Sequence, residues 1–205
     1  MRPLVLACGA LAGDLRAVLR ACGLGESIEV EYLPANLHNR PEQIVPTLRP
    51  RLAMAKTRNH SVFIGYSDCG TGGMIDALLA EFPGVTRLAG AHCYEMFAGA
   101  DAFAALHDAE PGTFYLTDFL ARHFDALVWS GLGLDRHPEL RDVYFANYRR
   151  VVHLAQSNEA VVATAALAAA NRLCLPLAFV AVGRERLRGA VVEFVQAGLA
   201  APARS

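Results

Sequence analysis

The chain has no surplus of charge of either sign, no long apolar run and no paired-cysteine motif, and each absence closes off a class of function. Lys plus Arg number 19 against 20 for Asp plus Glu. No local run of basic residues offsets that balance, so neither nucleic acid nor an anionic membrane surface is favoured as a partner. Nothing approaches the roughly 18 uncharged residues that a membrane-spanning helix needs. The N-terminal stretch MRPLVLACGALAGDLRAVL is interrupted by Asp14 and Arg16 too early for a secretory signal, and it reads as a strand followed by a helix. There is no CxxC pair. The five cysteines are odd in number, and together with the missing signal they point to a reducing compartment, the cytoplasm. The GK[ST] ending of a phosphate-binding loop and the dinucleotide fingerprint are missing too, so neither ATP nor NAD is implied. No internal repeat or low-complexity linker interrupts the chain.

What the chain does have is a regular alternation of apolar runs with helix-period stretches. That pattern predicts a single α/β domain over residues 1–200, with a disordered tail at 201–205. The expected architecture is three-layer α/β/α around one mainly parallel, Rossmann-like doubly wound sheet. Strands are predicted at 3–8, 28–33, 61–66, 85–90, 111–117, 150–155 and 177–182. Helices are predicted at 14–22, 41–56 (kinked or split by Pro46 and Pro50), 74–82, 94–107, 119–129, 159–173 and 184–199, with a short one ending near Tyr148. The apolar surplus and the hydrophobic final helix fit a homodimer.

Cys8, Cys69 and Cys93 each sit where a predicted strand gives way to Gly or a helix. In an open parallel sheet the carboxyl ends of the strands form the edge where ligands bind, so the three thiols are expected to share one mouth. Polar residues fall at the same kind of position: His38 and Asn39, Tyr66 and Asp68, His92 and Glu95. The run YSDCGTGGM adds Gly70, Thr71, Gly72 and Gly73. Glycines let backbone N–H groups turn toward one point at a helix start, which suits an anion and favours a Cys thiolate. Thiolate and imidazole are the usual ligands of zinc and similar metals, and three thiolates with one open position suit an iron–sulfur cluster. Cys22 and Cys174 lie away from that edge and are assigned to packing. Gln156 ends the sixth strand and is expected to face the same mouth, whereas His153 lies inside that strand.

The strings ACGAL, LPxxLHNRP, YxDCGTGG, AHCYEMF, PGTFYLTDFL and YFxNYRRVVxLAQ, in this order, resemble the bacterial and archaeal family known as domain of unknown function 1638. The resemblance runs from about Leu4 to the last helix. Its motif residues fall here on Cys8, His38, Asn39, Asp68, Cys69, Gly70 to Gly73, His92, Cys93, Tyr94, Glu95, Thr117, Asp118, Asn147, Tyr148 and Gln156. The family resembles a companion of corrinoid-dependent methyl-transfer systems, which implies one-carbon or methylated-compound metabolism.

Three functions compete on this reading. The first is an enzyme holding zinc, iron or an iron–sulfur cluster on Cys8, Cys69 and Cys93 as a Lewis acid for a small anionic substrate. In it, Gly70, Thr71, Gly72, Gly73, Asn39, Tyr94 and Gln156 bind the substrate, and Asp68, His92, Glu95 and His38 act as acid and base. The second is a cofactor-free, racemase-like enzyme using Cys69 and Cys93 as a proton-exchanging pair. The third is a metal carrier or accessory protein for a corrinoid methyltransferase; the chain lacks the DxHxxG string that presents a lower-ligand His, so direct corrinoid binding of that type is disfavoured.

Overall fold

In a computed structural model, residues 2–58 and 61–200 are described. The expected tail at 201–205 lies outside them. The chain divides into two compact units, Met1–Met96 with Arg184–Ser205, and Phe97–Gly183.

In the first unit the elements are β1 (Leu4–Cys8), α1 (Ala12–Ala21), β2 (Glu29–Leu33), α2 (Ile44–Thr57), β3 (Val62–Gly65), α3 (Met74–Ala80), β4 (Thr86–Arg87) and the start of α4 (Cys93–Ala98). The strands form one parallel sheet in the order β2-β1-β3-β4. Every residue of β1 and β3 is buried, which requires cover on both faces. The cover is helical. Helix α1 turns Leu15, Val18 and Leu19 inward at helical spacing, and α2 turns Ile44, Leu48 and Leu52 inward. Pro50 sits within α2, which continues through it as one helix. The strand order reverses between β1 and β3, so the ends of these two strands flank a switch point, the usual place for a ligand in such sheets.

The second unit contains α5 (Ala100–Ala109), β5 (Thr113–Thr117), α6 (Asp118–Arg122), α7 (Arg141–Tyr144), β6 (Arg150–Ala155), α8 (Ala160–Leu173) and β7 (Leu177–Ala181). Its three parallel strands run in the order β5-β6-β7. Leu116 and Val151 pack with Ala121, Phe124, Val162, Ala166 and Ala170 into a continuous core. Edge strand β7 is covered less, and Phe179 on it is 55 % exposed. After β7 the chain returns to the first unit as α9 (Glu185–Ala200), where Phe194 stacks on Phe63 and Arg184 pairs with the buried Asp14.

The α/β class and the parallel strands match the sequence pattern, but the strands fill two sheets where one doubly wound sheet was expected. The reason lies in pairing: β4 is two residues long and pairs with β3, while β5 pairs with β6. The expected helix 94–107 is two helices, because Gly99 adopts φ 88° between α4 and α5. The expected helix 119–129 is α6 followed by a wider turn at Asp125–Trp129.

Candidate functional site

Three loops of the first unit bring the cysteines together. Cys8 ends β1 and caps a short turn, its sulfur accepting the Ala10 N–H at 3.4 Å. Gly9 follows because nothing larger fits: a Cβ there would lie 2.8 Å from the Leu33 carbonyl oxygen and 3.2 Å from the Ala35 nitrogen. This close approach seats the 3-10 turn Ala35–Asn39 against the end of β1, with His38 Nδ1 3.4 Å from Cys8 Sγ. Asn39 ends the same turn.

The second and third loops are stitched to each other beyond the end of the regular sheet. Ser67 donates its hydroxyl to Ala89 O at 2.8 Å, Asp68 N donates to Gly90 O at 3.1 Å, and Cys69 N donates to Ala91 O at 2.7 Å. These bonds prolong the β3–β4 pairing, so Cys69 and Cys93 are carried to the same place. Cys69 takes up a left-handed backbone, φ 51°, which costs an L-residue about 1 kcal/mol or more. Arg87 anchors the third loop, with two bonds to the Asp76 carboxylate and others to the Leu88 and Gly90 carbonyls.

The thiols are close enough for their charges to interact. Burial raises all three pKa values. Cys69 is pushed up to about 12 by burial and by Cys8, against hydrogen bonds from the backbone of Ser67 and Cys93. Cys93 is raised by burial, then by Cys69 and Cys8. For Cys8, burial outweighs the backbone N–H groups of Ala10 and Leu11 and the nearby Tyr66 hydroxyl. Tyr66 is raised by burial and by Cys8; its hydroxyl is buried and, among the described residues, no atom is placed to complete a well-formed hydrogen bond with it. His38 keeps an exposed outer face, yet the protein packed behind it lowers its pKa, leaving the imidazole neutral at neutral pH. The charge of Arg87 reaches Asp68 and Cys69, but its guanidinium is committed first to Asp76.

Several expected roles are reassigned by the hydrogen bonding. The Asp68 carboxylate accepts the Thr71 hydroxyl at 2.7 Å, the Gly72 N–H at 3.0 Å and the Gly73 N–H at 2.8 Å. Burial would raise its pKa, and these bonds, with Arg87, hold it below the usual carboxylate range. The donors of Thr71, Gly72 and Gly73 therefore already hold an anion of the protein's own. A carboxylate so tied is a turn anchor rather than a base. Gly70 lies in the same turn, 3.6 Å from Pro41 at the position of an added Cβ. His92 and Glu95 bracket the start of α4: His92 Nδ1 accepts the Glu95 N–H at 3.3 Å, and the Glu95 carboxylate accepts the Ala91 N–H at 2.9 Å. Both bonds tie the loop before Cys93 to the first turn of α4. Tyr94 stands within α4, its ring 5.3 Å from that of His92.

Gln156 belongs to the second unit, where its side chain accepts Asp118 N–H at 2.7 Å and donates to Leu154 O at 2.5 Å. Its amide thus holds β6 to the start of α6. Sequence reasoning named Asp118 as a motif residue and placed His153 inside the strand, but did not pair them. Asp118 Oδ1 lies 2.9 Å from Nε2 of His153 and accepts the Gln156 N–H at 3.1 Å, while Oδ2 accepts the Ser157 hydroxyl at 2.6 Å. His153 interrupts an otherwise apolar strand, and that was the available signal.

Among the described residues, no three His, Cys, Asp or Glu side chains stand as a ready-made set of metal ligands. The charges of Cys8, Cys69 and Cys93 nonetheless reach one another, and the His38 imidazole lies 3.4 Å from Cys8.

A parallel α/β protein with a thiol-lined switch point is the class that fold and site define. Residues 32–191 match the family described as "Protein of unknown function (DUF1638)", and the chain belongs to that family. No curated protein matches the chain. No solved structure matches it either. No helix among the described residues is long and apolar enough to cross a membrane.

Proposed function

We propose that Cys8, Cys69 and Cys93 hold zinc, iron or an iron–sulfur cluster, and that the protein is an enzyme acting on a small anionic metabolite at that centre. The observation that carries this reading is the coupling of three desolvated thiols, each raised by burial, Cys69 also by Cys8 and Cys93 by both. As thiolates they repel one another in a poor solvent for charge; a bound cation reverses both penalties. Such a centre supplies Lewis acidity to a substrate oxygen.

The chain's own residues do the rest. Neutral His38 beside Cys8 accepts a proton, and the Tyr66 hydroxyl donates to a substrate oxygen. Asp68 keeps the Gly-rich turn closed, so the substrate's negative charge is met at the thiol centre rather than by the turn. A place in one-carbon or methylated-compound metabolism is what the family resemblance implies.

The racemase-like reading requires one of Cys69 and Cys93 to be a thiolate near neutral pH, and a Cys69 pKa near 12 opposes it. A metal carrier uses the same ligands and differs only in lacking turnover.

The test is anaerobic purification followed by metal and acid-labile sulfide analysis and an absorption spectrum. Stoichiometric metal that is lost in Cys69→Ser supports the proposal. A protein that turns over its substrate without metal removes it, and metal that passes to a partner protein without turnover assigns the carrier role instead.

A further inference from the structure

We infer that the second unit carries a binding site of its own, in which Nδ1 of His153, covered by the ring of Phe179, accepts a hydrogen bond from an uncharged hydroxyl- or amine-bearing ligand. His153 is 1 % exposed and stands in the middle strand of its sheet. Its Nε2 lies 2.9 Å from Oδ1 of Asp118, whose carboxyl is held below the usual range: burial would raise it, and His153, Ser157 and Gln156 outweigh that. An ionised carboxylate only accepts, so Nε2 carries the hydrogen, and in the single-hydrogen tautomer that pairs this way Nδ1 is the acceptor.

That atom is the anomaly in the cluster. Both oxygens of Asp118, both polar atoms of the Gln156 side chain and the Ser157 hydroxyl have partners, whereas His153 Nδ1 is buried with none among the described residues. A buried acceptor without a donor calls for a specific occupant. Its place agrees with one. Asp118 opens α6 directly after β5, and Gln156 and Ser157 follow β6, so the cluster lies at the carboxyl edge of a parallel sheet.

The cover is of a different character from the rest of the surroundings. Phe179 is the register partner of His153 on edge strand β7, and its ring meets the imidazole edge-on at 5.4 Å while 55 % exposed. An exposed aromatic on an edge strand can change rotamer without opening the core. The buried Asp118 carboxylate lies beside the site, so an anion is repelled and an uncharged donor is accepted.

Two measurements test this. In the wild-type protein, nitrogen NMR of His153 should find Nε2 protonated and Nδ1 bare; a hydrogen on Nδ1 overturns the inference. In Phe179→Ala, phenol should bind at least tenfold more tightly than benzene and shift the Nδ1 resonance, and the preference should vanish in Phe179→Ala/His153→Phe. Equal binding of phenol and benzene, or binding of neither, overturns it, and Phe179→Leu gives a milder opening with the same readout.

Discussion

The carboxylate of Asp68 accepts the backbone N–H of Gly73 at 2.8 Å, across the turn that also carries Cys69. The turn therefore contains its own anion. Replacing Asp68 with Ala vacates it and leaves the Gly72 and Gly73 donors to solvent, at a cost of about 1–2 kcal/mol, as for the loss of a helix cap. The freed donors should then take up sulfate. Thermal denaturation with and without sulfate should show a larger stabilisation of Asp68→Ala than of the wild type; an equal response would mean that the donors do not point at one place.

Stability of the metal-free protein should fall in alkali. The thiols of Cys8, Cys69 and Cys93 are raised in the folded state, so the folded protein keeps protons that the unfolded chain releases. That contribution is present in full below the ordinary thiol pKa of 9.0 and is lost as the pH climbs from there through about 12, the folded value of Cys69. Urea midpoints measured between these limits should decline less steeply for Cys69→Ala. Loading with zinc should strengthen with rising pH over the same groups, because each ligating thiol must give up its proton.

Gly9 and Gly13 should respond to Ala in opposite ways. A Cβ on Gly9 meets backbone at 2.8 Å, whereas one on Gly13 in α1 meets nothing within 4 Å. Gly9→Ala should cost about 1–3 kcal/mol and displace His38 from Cys8. Gly13→Ala should gain up to about 1 kcal/mol. Chemical denaturation distinguishes them, and equal effects would show that the two loop ends do not touch at Gly9.

Asp118 should be the most acid-sensitive anchor of the second unit. Removing it in Asp118→Ala strands the His153, Gln156 and Ser157 donors and should cost about 3–5 kcal/mol. Its folded pKa is depressed, so its contribution is present above the ordinary Asp range and lost as the pH falls through the folded value. The gap in urea midpoint between the wild type and Asp118→Asn should therefore narrow toward low pH. A gap independent of pH would assign the effect to packing.

All seven strands of the described residues fall within the runs predicted from sequence, because each is an apolar run closed by turn residues, and that signal is local. Which strands pair is not local. Nothing in the alternation distinguishes β4 beside β5 from two sheets that part there. The meeting of Cys8, Cys69 and Cys93 followed from topology alone, since strand ends of one parallel sheet share an edge. The roles of their neighbours did not. Whether Gly72 and Gly73 aim at a ligand or at Asp68 depends on positive φ angles at Cys69, Gly70, Gly72 and Gly73, and composition does not give that direction. The hydrogen bonds that tie His92 and Glu95 to the start of α4 were not read from the sequence, which gave both as acid and base. The Asp118–His153 pair bridges 35 residues and left only one trace, a polar side chain inside an apolar strand.

Cys69 occupies a backbone conformation that glycine would adopt freely, in a turn that already contains three glycines with the same sign of φ. Glycine at position 69 would make the loop more comfortable and the protein sturdier. The thiol at position 69 is therefore held against the local preference of the backbone.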